Sequence, residues 1–297
     1  MFIHLSCASA FSFKYGTAQP RQLVERAAQF GAPALAITDR DSLAGVIRFV
    51  QATQEFGIAP IVGINLALDK SNNKSRATLL AQSDGGWRSL CRLLSALREN
   101  RKNSSAPILN LAQLADQSSD LSQYTKNLIL LHGPESSIAD LITKHRSDLA
   151  LIEFNKYRAF FAESVIECTS HLVAGDGPRS TNHAARMLGF ARDHDLPAII
   201  TNGVRMLDPQ DGPIADILDS ARKLVPLHPR HVERKNNEAY LKDHDAMRVL
   251  ADEIARAAGE RNGRQLLRTT QRIAERCILT PQQFGLGGIE LPEPEVD

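Results

Sequence analysis

Polar side chains lie at the ends of the strands that the sequence predicts, which is where α/β barrels place their catalytic residues. A catalytic metal centre needs clustered nitrogen, oxygen or sulfur ligands. The side chains at these strand ends are short of such ligands and rich in arginine, whose guanidinium group cannot bind a cation. We therefore expect a polar barrel mouth with a guanidinium cluster and a few histidines. The candidate residues are His4, Ser6, Cys7, Ser9, Thr38, Asp39, Arg40, Asp41, Asn65, Arg76, Gln82, His132, Glu167, Thr169, His171, Asn202 and Arg205.

The elements that must position these side chains follow from the hydrophobic pattern. Short apolar runs, typical of strands buried on both faces, alternate with longer amphipathic stretches. This alternation favours a parallel sheet or barrel with helices outside. Seven strands are compatible with a closed barrel that lacks one unit, and an open doubly wound sheet fits the pattern equally well. The predicted strands are Phe2–Ser6, Ala34–Thr38, Pro60–Leu66, Ala77–Ala81, Leu128–Leu131, Val165–Cys168 and Ala198–Thr201; the predicted helices are Pro20–Phe30, Asp41–Phe56, Trp87–Leu97, Thr181–His194, Asp243–Ala258 and Arg264–Cys277.

The pattern also predicts the domain organisation. Two polar, turn-rich stretches, Asp69–Ser75 and Asn103–Pro107, are expected to be solvated loops. The strand pattern stops after Asn202, and the sequence closes with a proline-containing acidic segment typical of a linker. We expect a barrel over residues 1–205, a helical extension over residues 206–297, and a natural chain that continues.

Composition narrows the class of protein. The 297 residues are 43% hydrophobic and 23% charged, the balance of a globular protein with a real core. The net charge of +1 gives no global basic field of the kind that marks a dedicated nucleic-acid binder. No apolar run approaches the roughly 20 residues that span a bilayer, so no membrane partner is expected. The four cysteines are scattered without a C-x-x-C motif, which favours reduced thiols and a cytoplasmic location.

Nine segments carry motifs in a fixed order along the chain: Phe2–Gly16, Ala34–Gly45, Ile61–Leu68, Leu79–Leu90, Val165–His171, Leu196–Pro209, Tyr240–Met247, Ile273–Cys277 and Leu291–Pro294. Together they resemble the motifs of one known family, the PHP (polymerase and histidinol phosphatase) domain at the N-terminus of bacterial DNA polymerase III α subunits. The variants Y-G-T-A-Q-P and T-D-R-D resemble the error-prone type most. The resemblance implies a distorted (β/α)7 barrel with a helical C-terminal extension that leads to a polymerase palm.

The departures from the family pattern fall on the metal ligands that the resemblance implies. Only His171 survives as an expected ligand, with Asp39 as a neighbouring motif carboxylate. One histidine and one carboxylate cannot hold a centre of two or three metals. We therefore expect no bound metal, no cofactor and no catalytic residue. The degenerate positions are Ser6 and Ala8 for the two histidines of the first motif, Arg40 for the histidine of T-D-H, Asn65 for the glutamate of G-x-E, Arg76 for the histidine before the fourth strand, and Gly203 and Arg205 for the late D-x-H pair, with Glu167 beside them.

Three functions remain open on these grounds. The leading hypothesis is a non-catalytic structural and interaction domain of a DNA polymerase used in replication or error-prone repair. The resemblance implies that it packs on the thumb and palm, reaches DNA through the parent protein, and meets other replication or repair subunits. The alternatives are an active metal-dependent phosphoesterase or 3′–5′ exonuclease, and a separate regulator that binds a phosphorylated ligand.

The arginines at the strand ends have two interpretations. Arg40, Arg76 and Arg205 could converge where the metals of the family lie, and could there bind a phosphate or hold acidic groups. The simpler hypothesis is that each forms an ion pair with Asp39, Asp41 or Glu167. If the strand ends converge, we expect Arg40 and Arg205 near Asp39, Glu167 and His171.

Overall fold

The computed structural model describes residues 1–68, 75–99, 107–232 and 234–286. Within these residues the core is a six-stranded sheet with the strands in chain order. Six of the seven predicted strand runs agree with the observed strands to within about two residues at each end. The strands are β1 (Ala34–Ile37), β2 (Ala59–Ala67), β3 (Arg76–Ala81), β4 (Leu128–His132), β5 (Glu163–Cys168) and β6 (Ala198–Ile200).

The sheet is mixed, which corrects the expectation of a parallel arrangement. β1 and β2 are parallel, as are β4, β5 and β6, but β3 runs antiparallel to both of its neighbours. The reversal places the first residue of β3, Arg76, at the edge formed by the carboxyl ends of the other strands. It places Gln82 at the opposite edge, where its backbone N–H donates to the carbonyl of Asn127 just before β4. Gln82 is therefore no part of the barrel mouth.

The segment Phe2–Ser6 is not the strand that was predicted, although it lies where that strand was expected. Its bonds to neighbours are too irregular for a ladder: the N–H of Ala36 donates to the carbonyl of His4, and the N–H of Val204 donates to the carbonyl of Ser6. Since β1 and β6 are the two edges of the sheet, this extended segment joins them. The sheet is thereby curled into a distorted α/β barrel, and the predicted fold class is confirmed.

Ten α-helices surround or plug the barrel in the described residues. The predicted helices are present with small changes at their ends, apart from the second, which begins at Val46 because Asp41 has a left-handed backbone (φ 56°). Four helices were not predicted: α4, α5, α6 and α8. The helices are α1 (Pro20–Gln29), α2 (Val46–Phe56), α3 (Ser83–Glu99), α4 (Leu111–Ala115), α5 (Ser137–Thr143), α6 (Ser147–Arg158), α7 (Thr181–Asp193), α8 (Gly212–Lys223), α9 (His244–Ala257) and α10 (Arg264–Cys277).

The barrel interior is filled by aliphatic side chains from the strands and from α10. Ile273, Ala274 and Cys277 of α10 belong to the same buried cluster as Ala34, Ala36, Ile61, Leu80, Ile129, Leu131, Val165 and Ile199. The backbone N–H of Leu279 also donates to the carbonyl of Pro60 at the start of β2. The last helix is therefore packed into the amino-terminal end of the barrel, and the carboxyl ends of the strands are left to form a pocket.

Some expectations concern residues beyond those the structure describes. The predicted loops fall on residues 69–74 and 103–106, and the linker-like segment falls on residues 291–297. The division of the chain at residue 205 stays a prediction. In the described part of the chain, no helix has the length and apolar character to cross a membrane.

Candidate functional site

A cavity of about 520 Å³, counting the solvent in its mouth, lies at the carboxyl ends of the strands. Seven of the ten degenerate metal-site positions expected from the family resemblance line it: Ser6, Ala8, Arg40, Asn65, Arg76, Glu167 and Gly203. Asp39, His171 and Arg205 lie outside its lining. The lining also includes charged and aromatic side chains that were not named from the sequence: Tyr15, Glu135 and Arg179.

Glu135 is the centre of the charges in this pocket. The guanidinium Nη2 of Arg40 lies 3.1 and 3.0 Å from its two carboxylate oxygens, and Arg179 donates to the same carboxylate. Burial acts to raise the pKa of Glu135, but the charges of Arg40 and Arg179 outweigh it and hold that pKa well below its ordinary value. Glu135 therefore stays ionised, and the two arginines are paired.

Arg76 is held by the neighbouring strand. Its Nε donates to the side-chain oxygen of Asn65 at 2.6 Å, and its Nη2 donates to the backbone carbonyl of Asn65 and to Asp41, both at 2.8 Å. Asn65 in turn donates to Thr78. The pairing of Arg76 with Asp41 is the local ion pair that the simpler hypothesis expected.

Glu167, at the end of β5, is a buried carboxyl without an arginine partner at hydrogen-bonding distance among the described residues. It accepts a hydrogen bond of 2.6 Å from Thr201, and it is only 5% exposed. Burial raises the pKa of Glu167 to about 7, against the opposing effect of the hydrogen bonds from Thr201 and Ser6. Its carboxylate occupies the space that a β-carbon on Gly133 would need, so a glycine is required there.

His171 is buried and neutral. Its Nε2 lies 2.8 Å from the carbonyl oxygen of Asn202, which can only accept, so Nε2 carries the proton. Burial, reinforced by the charge of Arg179, lowers its pKa to about 3. Asn202 itself donates to the carbonyls of Glu238 and Tyr240. The arrangement ties the end of β5 to the loop before α9.

Asp39 holds the loop that follows Phe2–Ser6 by hydrogen bonds, and among the described residues it has no arginine partner. Its Oδ1 accepts from the backbone N–H of Ser9 at 2.6 Å and from the hydroxyl of Ser12 at 2.8 Å, and its Oδ2 accepts from the hydroxyl of Ser9 at 2.9 Å. Burial raises the pKa of Asp39 despite these bonds. The expectation that Arg40 or Arg205 pairs with Asp39 was wrong, because the serines already satisfy its oxygens.

Arg205 is buried outside the pocket lining and packs on the ring of Tyr15. It forms two ion-pair hydrogen bonds, of 3.1 and 3.0 Å, with Asp219 of α8, and donates to the carbonyl of Tyr15. The Cζ atoms of Arg40 and Arg205 lie 3.6 and 4.2 Å from the centre of the Tyr15 ring. The two arginines thus share one aromatic neighbour, but the expected acidic partners of Arg205 were wrong.

The other strand-end residues have structural roles or lie elsewhere. Cys7 is fully buried, and burial raises its pKa far above the ordinary value, which excludes a thiolate nucleophile. His4 bonds the carbonyl of Lys242. His132 packs on Phe154 and Tyr157, away from the pocket.

The residues that sequence reasoning missed differ in how they could have been found. Glu135 follows β4 closely, so an inspection extended a few residues past each strand would have included it. Arg179 and Asp219 lie far from any predicted strand. Tyr15 stands within the first motif, but nothing in the sequence indicates that two arginines contact it.

The donor set does not fit the metal centre that the family resemblance implies. Glu135 and Glu167 are the acidic residues in the pocket lining, and neither cysteine nor histidine lines it. Glu135 is engaged by two permanently charged guanidinium groups, which repel a cation. Among the described residues, no group of three or more histidine, cysteine, aspartate or glutamate side chains is placed to hold a metal ion. The arrangement can hold a fixed network of charges, and we derive no metal-dependent step from it.

Comparisons with known proteins agree with the motifs. The model of the PHP domain family matches residues 4–171. The error-prone DNA polymerase of Symbiobacterium thermophilum is 32% identical over 287 residues, covering 93% of this chain and 25% of that protein. DNA polymerase III subunit alpha of Escherichia coli K12 is 27% identical over 303 residues, covering 98% of this chain and 24% of that protein. The chain thus spans about a quarter of the length of these curated relatives.

Among solved structures, an amidohydrolase from Chromobacterium violaceum aligns with a TM-score of 0.44 and 15% sequence identity, over 69% of this chain and 88% of that one. These values are too low for an argument about the site. The family match covers more than half of the sequence. The chain belongs to the PHP domain family.

Proposed function

We propose that this chain is the PHP domain of a DNA polymerase III α-type protein and that it is a non-catalytic structural and interaction domain. In this proposal the parent protein synthesises DNA in replication or error-prone repair in the cytoplasm. The polymerase chemistry lies outside these residues. The domain packs on the thumb and palm of the parent and reaches DNA only through it. The similarity to two such polymerases over more than nine-tenths of this chain supports the assignment.

The observation that carries the non-catalytic role is the pairing of Arg40 and Arg179 with Glu135 inside the pocket. Guanidinium groups remain charged at every accessible pH. They supply, without a cofactor, the positive charge that bound metals would supply in a hydrolytic relative. Because each of these arginines already has an acidic partner, they are not free to polarise a water molecule or a phosphate as a bound metal would. We infer that the metal site is degenerate and that its positions now stabilise the barrel mouth.

Metal content tests this proposal directly. The purified chain should contain no stoichiometric zinc, manganese or iron, and a chelator should leave its melting temperature unchanged. Removal of a metal that the fold uses would instead lower the melting temperature by several degrees, because metal binding energy is folding energy. Stoichiometric metal in the isolated protein would contradict the proposal.

Turnover is the second test. The isolated chain should show no 3′–5′ exonuclease, pyrophosphatase or phosphomonoesterase activity with added Mn²⁺ or Zn²⁺. A metal-dependent rate that disappears in His171→Ala would overturn the proposal, since it would reveal a functioning site built from other ligands. Glu275→Gln, an exposed change on α10, controls for contaminating nucleases, because a contaminant's rate would survive both substitutions.

A further inference from the structure

The outward face of α8 is apolar. Ile214, Ile217 and Leu224 are 49%, 55% and 86% exposed, and Ala221 between them is also exposed. Their spacing of three, four and three residues places all four on one stripe along the helix. The same spacing forms the apolar seam by which two helices pack together.

The inward face of the same helix has one small apolar residue, Ala215, and two buried polar residues. Asp219 is fully buried and paired with Arg205, and Ser220 beside it is 5% exposed. A surface helix of a monomeric protein turns its apolar stripe to the core and its polar residues to water. In α8 the large aliphatic side chains instead face solvent, and the charged side chain of Asp219 is buried. The apolar stripe of α8 is therefore available to something outside the described residues.

Leu224 adds a second indication. It ends α8 in the left-handed conformation, with φ 56°, where glycine avoids the steric cost that a side chain carries. Its side chain is also the most exposed of the large apolar residues in the described part of the chain. A leucine that gains nothing from burial or from the backbone is explained by a contact with a partner.

Two further segments extend the apolar surface. Leu227 is 59% exposed and lines a groove with Ile217 and Val232. Phe13 is 78% exposed and lies near the end of α8, because Nζ of the adjacent Lys14 donates to the carbonyl of Ala221 at 3.0 Å. Exposed apolar side chains are ordinary when scattered, but a contiguous group marks an interaction site.

The charges around this surface select the partner. From Pro213 to Lys235 the sequence holds five lysines and arginines against three acidic residues, a net positive charge. Asp216 is paired with Arg234, and Asp219 with Arg205 and Arg222, so positive charge remains in excess after these pairs. Arg222 and Lys223 directly precede Leu224. A second copy of the chain would bring the same basic residues together, so like charges oppose self-association. An acidic surface is the complement.

We propose that the α8 face, defined as Ile214, Ile217, Ala221, Leu224, Leu227 and Phe13, docks an amphipathic helix of another protein that carries an aliphatic stripe flanked by acidic residues. The narrow helical seam fits the helix-in-groove mode of recognition. The inference deepens the proposed interaction role and rests on it, but it uses no residue of the pocket.

A designed peptide tests the docking chemistry with the chain as it exists. The probe is a fluorescent helical peptide with leucine at the seam positions and glutamate beside them; its controls are the same peptide with lysine beside the seam, and a scrambled acidic peptide. The chain should bind the acidic seam peptide at least ten-fold more tightly than either control.

The double variant Ile217→Ser with Leu224→Gly should weaken binding of the acidic seam peptide at least ten-fold. The matched variant Ile152→Ser with Val249→Ser, which also removes two exposed apolar side chains from helices, should bind like the wild type.

Several results would overturn the inference. These are equal binding of all three peptides, equal loss of binding in both variants, and a concentration-dependent dimer that the α8 variant abolishes. Binding to anionic phospholipid vesicles that depends on Ile217 and Leu224, with no peptide binding, would assign the surface to a membrane instead. Circular dichroism and melting temperature establish that both variants fold. A metal-dependent activity would contradict the non-catalytic proposal and leave the peptide result standing, so the two failures are distinguishable.

Discussion

Arg205 and Asp219 form a two-point ion pair that is almost completely removed from solvent, with side chains 6% and 0% exposed. The pair joins the segment after β6 to α8, and Arg222 donates to the same carboxylate. Burying two charges is costly, but breaking such a pair costs more, because the remaining charge keeps its desolvation penalty without its partner.

Arg205→Ala should therefore destabilise the fold by about 3–5 kcal/mol. Because Asp219 keeps its ion pair with Arg222 in this variant, we expect a loss of unfolding free energy near the lower end of this range. Chemical denaturation monitored by circular dichroism measures the change. Arg146→Ala provides the control, because Arg146 and its partner Asp148 are both more than half exposed, and such a change usually stays within about 0.5 kcal/mol. Equal stability of the two variants would show that Arg205 merely fills space.

Glu167 should make the free energy of unfolding depend on pH. Its pKa of about 7 in the folded chain exceeds the ordinary value of 4.5, so the folded state holds this proton to a higher pH than the unfolded state does. The stability from this group is complete below pH 4.5 and is lost as the pH rises toward 7. Glu167→Gln, which keeps an acceptor for Thr201, should gain stability relative to the wild type between pH 5 and pH 8.

The comparison must be a difference between variant and wild type, because buried histidines act in the opposite direction. Burial lowers the pKa values of His4, His132 and His171. The contribution of these histidines to the free energy of unfolding is therefore lost as the pH falls. Glu275→Gln should show no pH-dependent difference from the wild type. A Glu167→Gln curve parallel to that of the wild type would place the folded pKa of Glu167 near its ordinary value.

The sequence predicted the strands well and the charge pairs poorly, for a physical reason. A strand buried on both faces needs a continuous apolar run, which is visible locally, as in Leu128–Leu131. The partner of Arg40 is Glu135, 95 residues away along the chain, and no local pattern records such a distance. The helical spacing of Ile214, Ile217, Ala221 and Leu224 is visible locally and could have predicted α8. The burial of its Asp219 face could not be predicted, because it depends on Arg205 from another segment. Phe2–Ser6 has the composition of a strand, but it forms too few backbone hydrogen bonds with the neighbouring segments to make a ladder.

His132 is a buried polar group whose replacement should stabilise the protein. Its ring is fully buried against Phe154 and Tyr157, and neither nitrogen has a hydrogen-bond partner in the described residues. An unsatisfied buried donor costs about 1–3 kcal/mol. His132→Leu should recover part of that cost and reduce acid sensitivity, since burial lowers the pKa of His132 to about 3. Thermal melts at pH 5 and pH 7 measure both effects.

His145→Asn, at an exposed left-handed position, is the control. A His132→Leu protein less stable than the wild type would contradict the prediction, since it would indicate that the His132 ring forms a stabilising hydrogen bond.

The last prediction separates a closed charge network from a phosphate site. In the wild type, Glu135 occupies the guanidinium groups of Arg40 and Arg179, so a phosphate ion would have to displace an ionised carboxylate. We expect phosphate and sulfate to leave the melting temperature of the wild type unchanged. Glu135→Gln removes the competing charge and should turn the pocket into an anion site, at some cost in stability.

Phosphate at ten times its dissociation constant would stabilise that variant by about 1.4 kcal/mol, or roughly 2–5 °C in melting temperature. Chloride at equal ionic strength excludes simple screening. Glu55→Gln leaves Arg21, a half-exposed arginine, without its partner and should show no phosphate effect. If phosphate stabilises the wild type as much as Glu135→Gln, the arginines bind anions despite their carboxylate, and the barrel mouth is a ligand site rather than a closed ion-pair network.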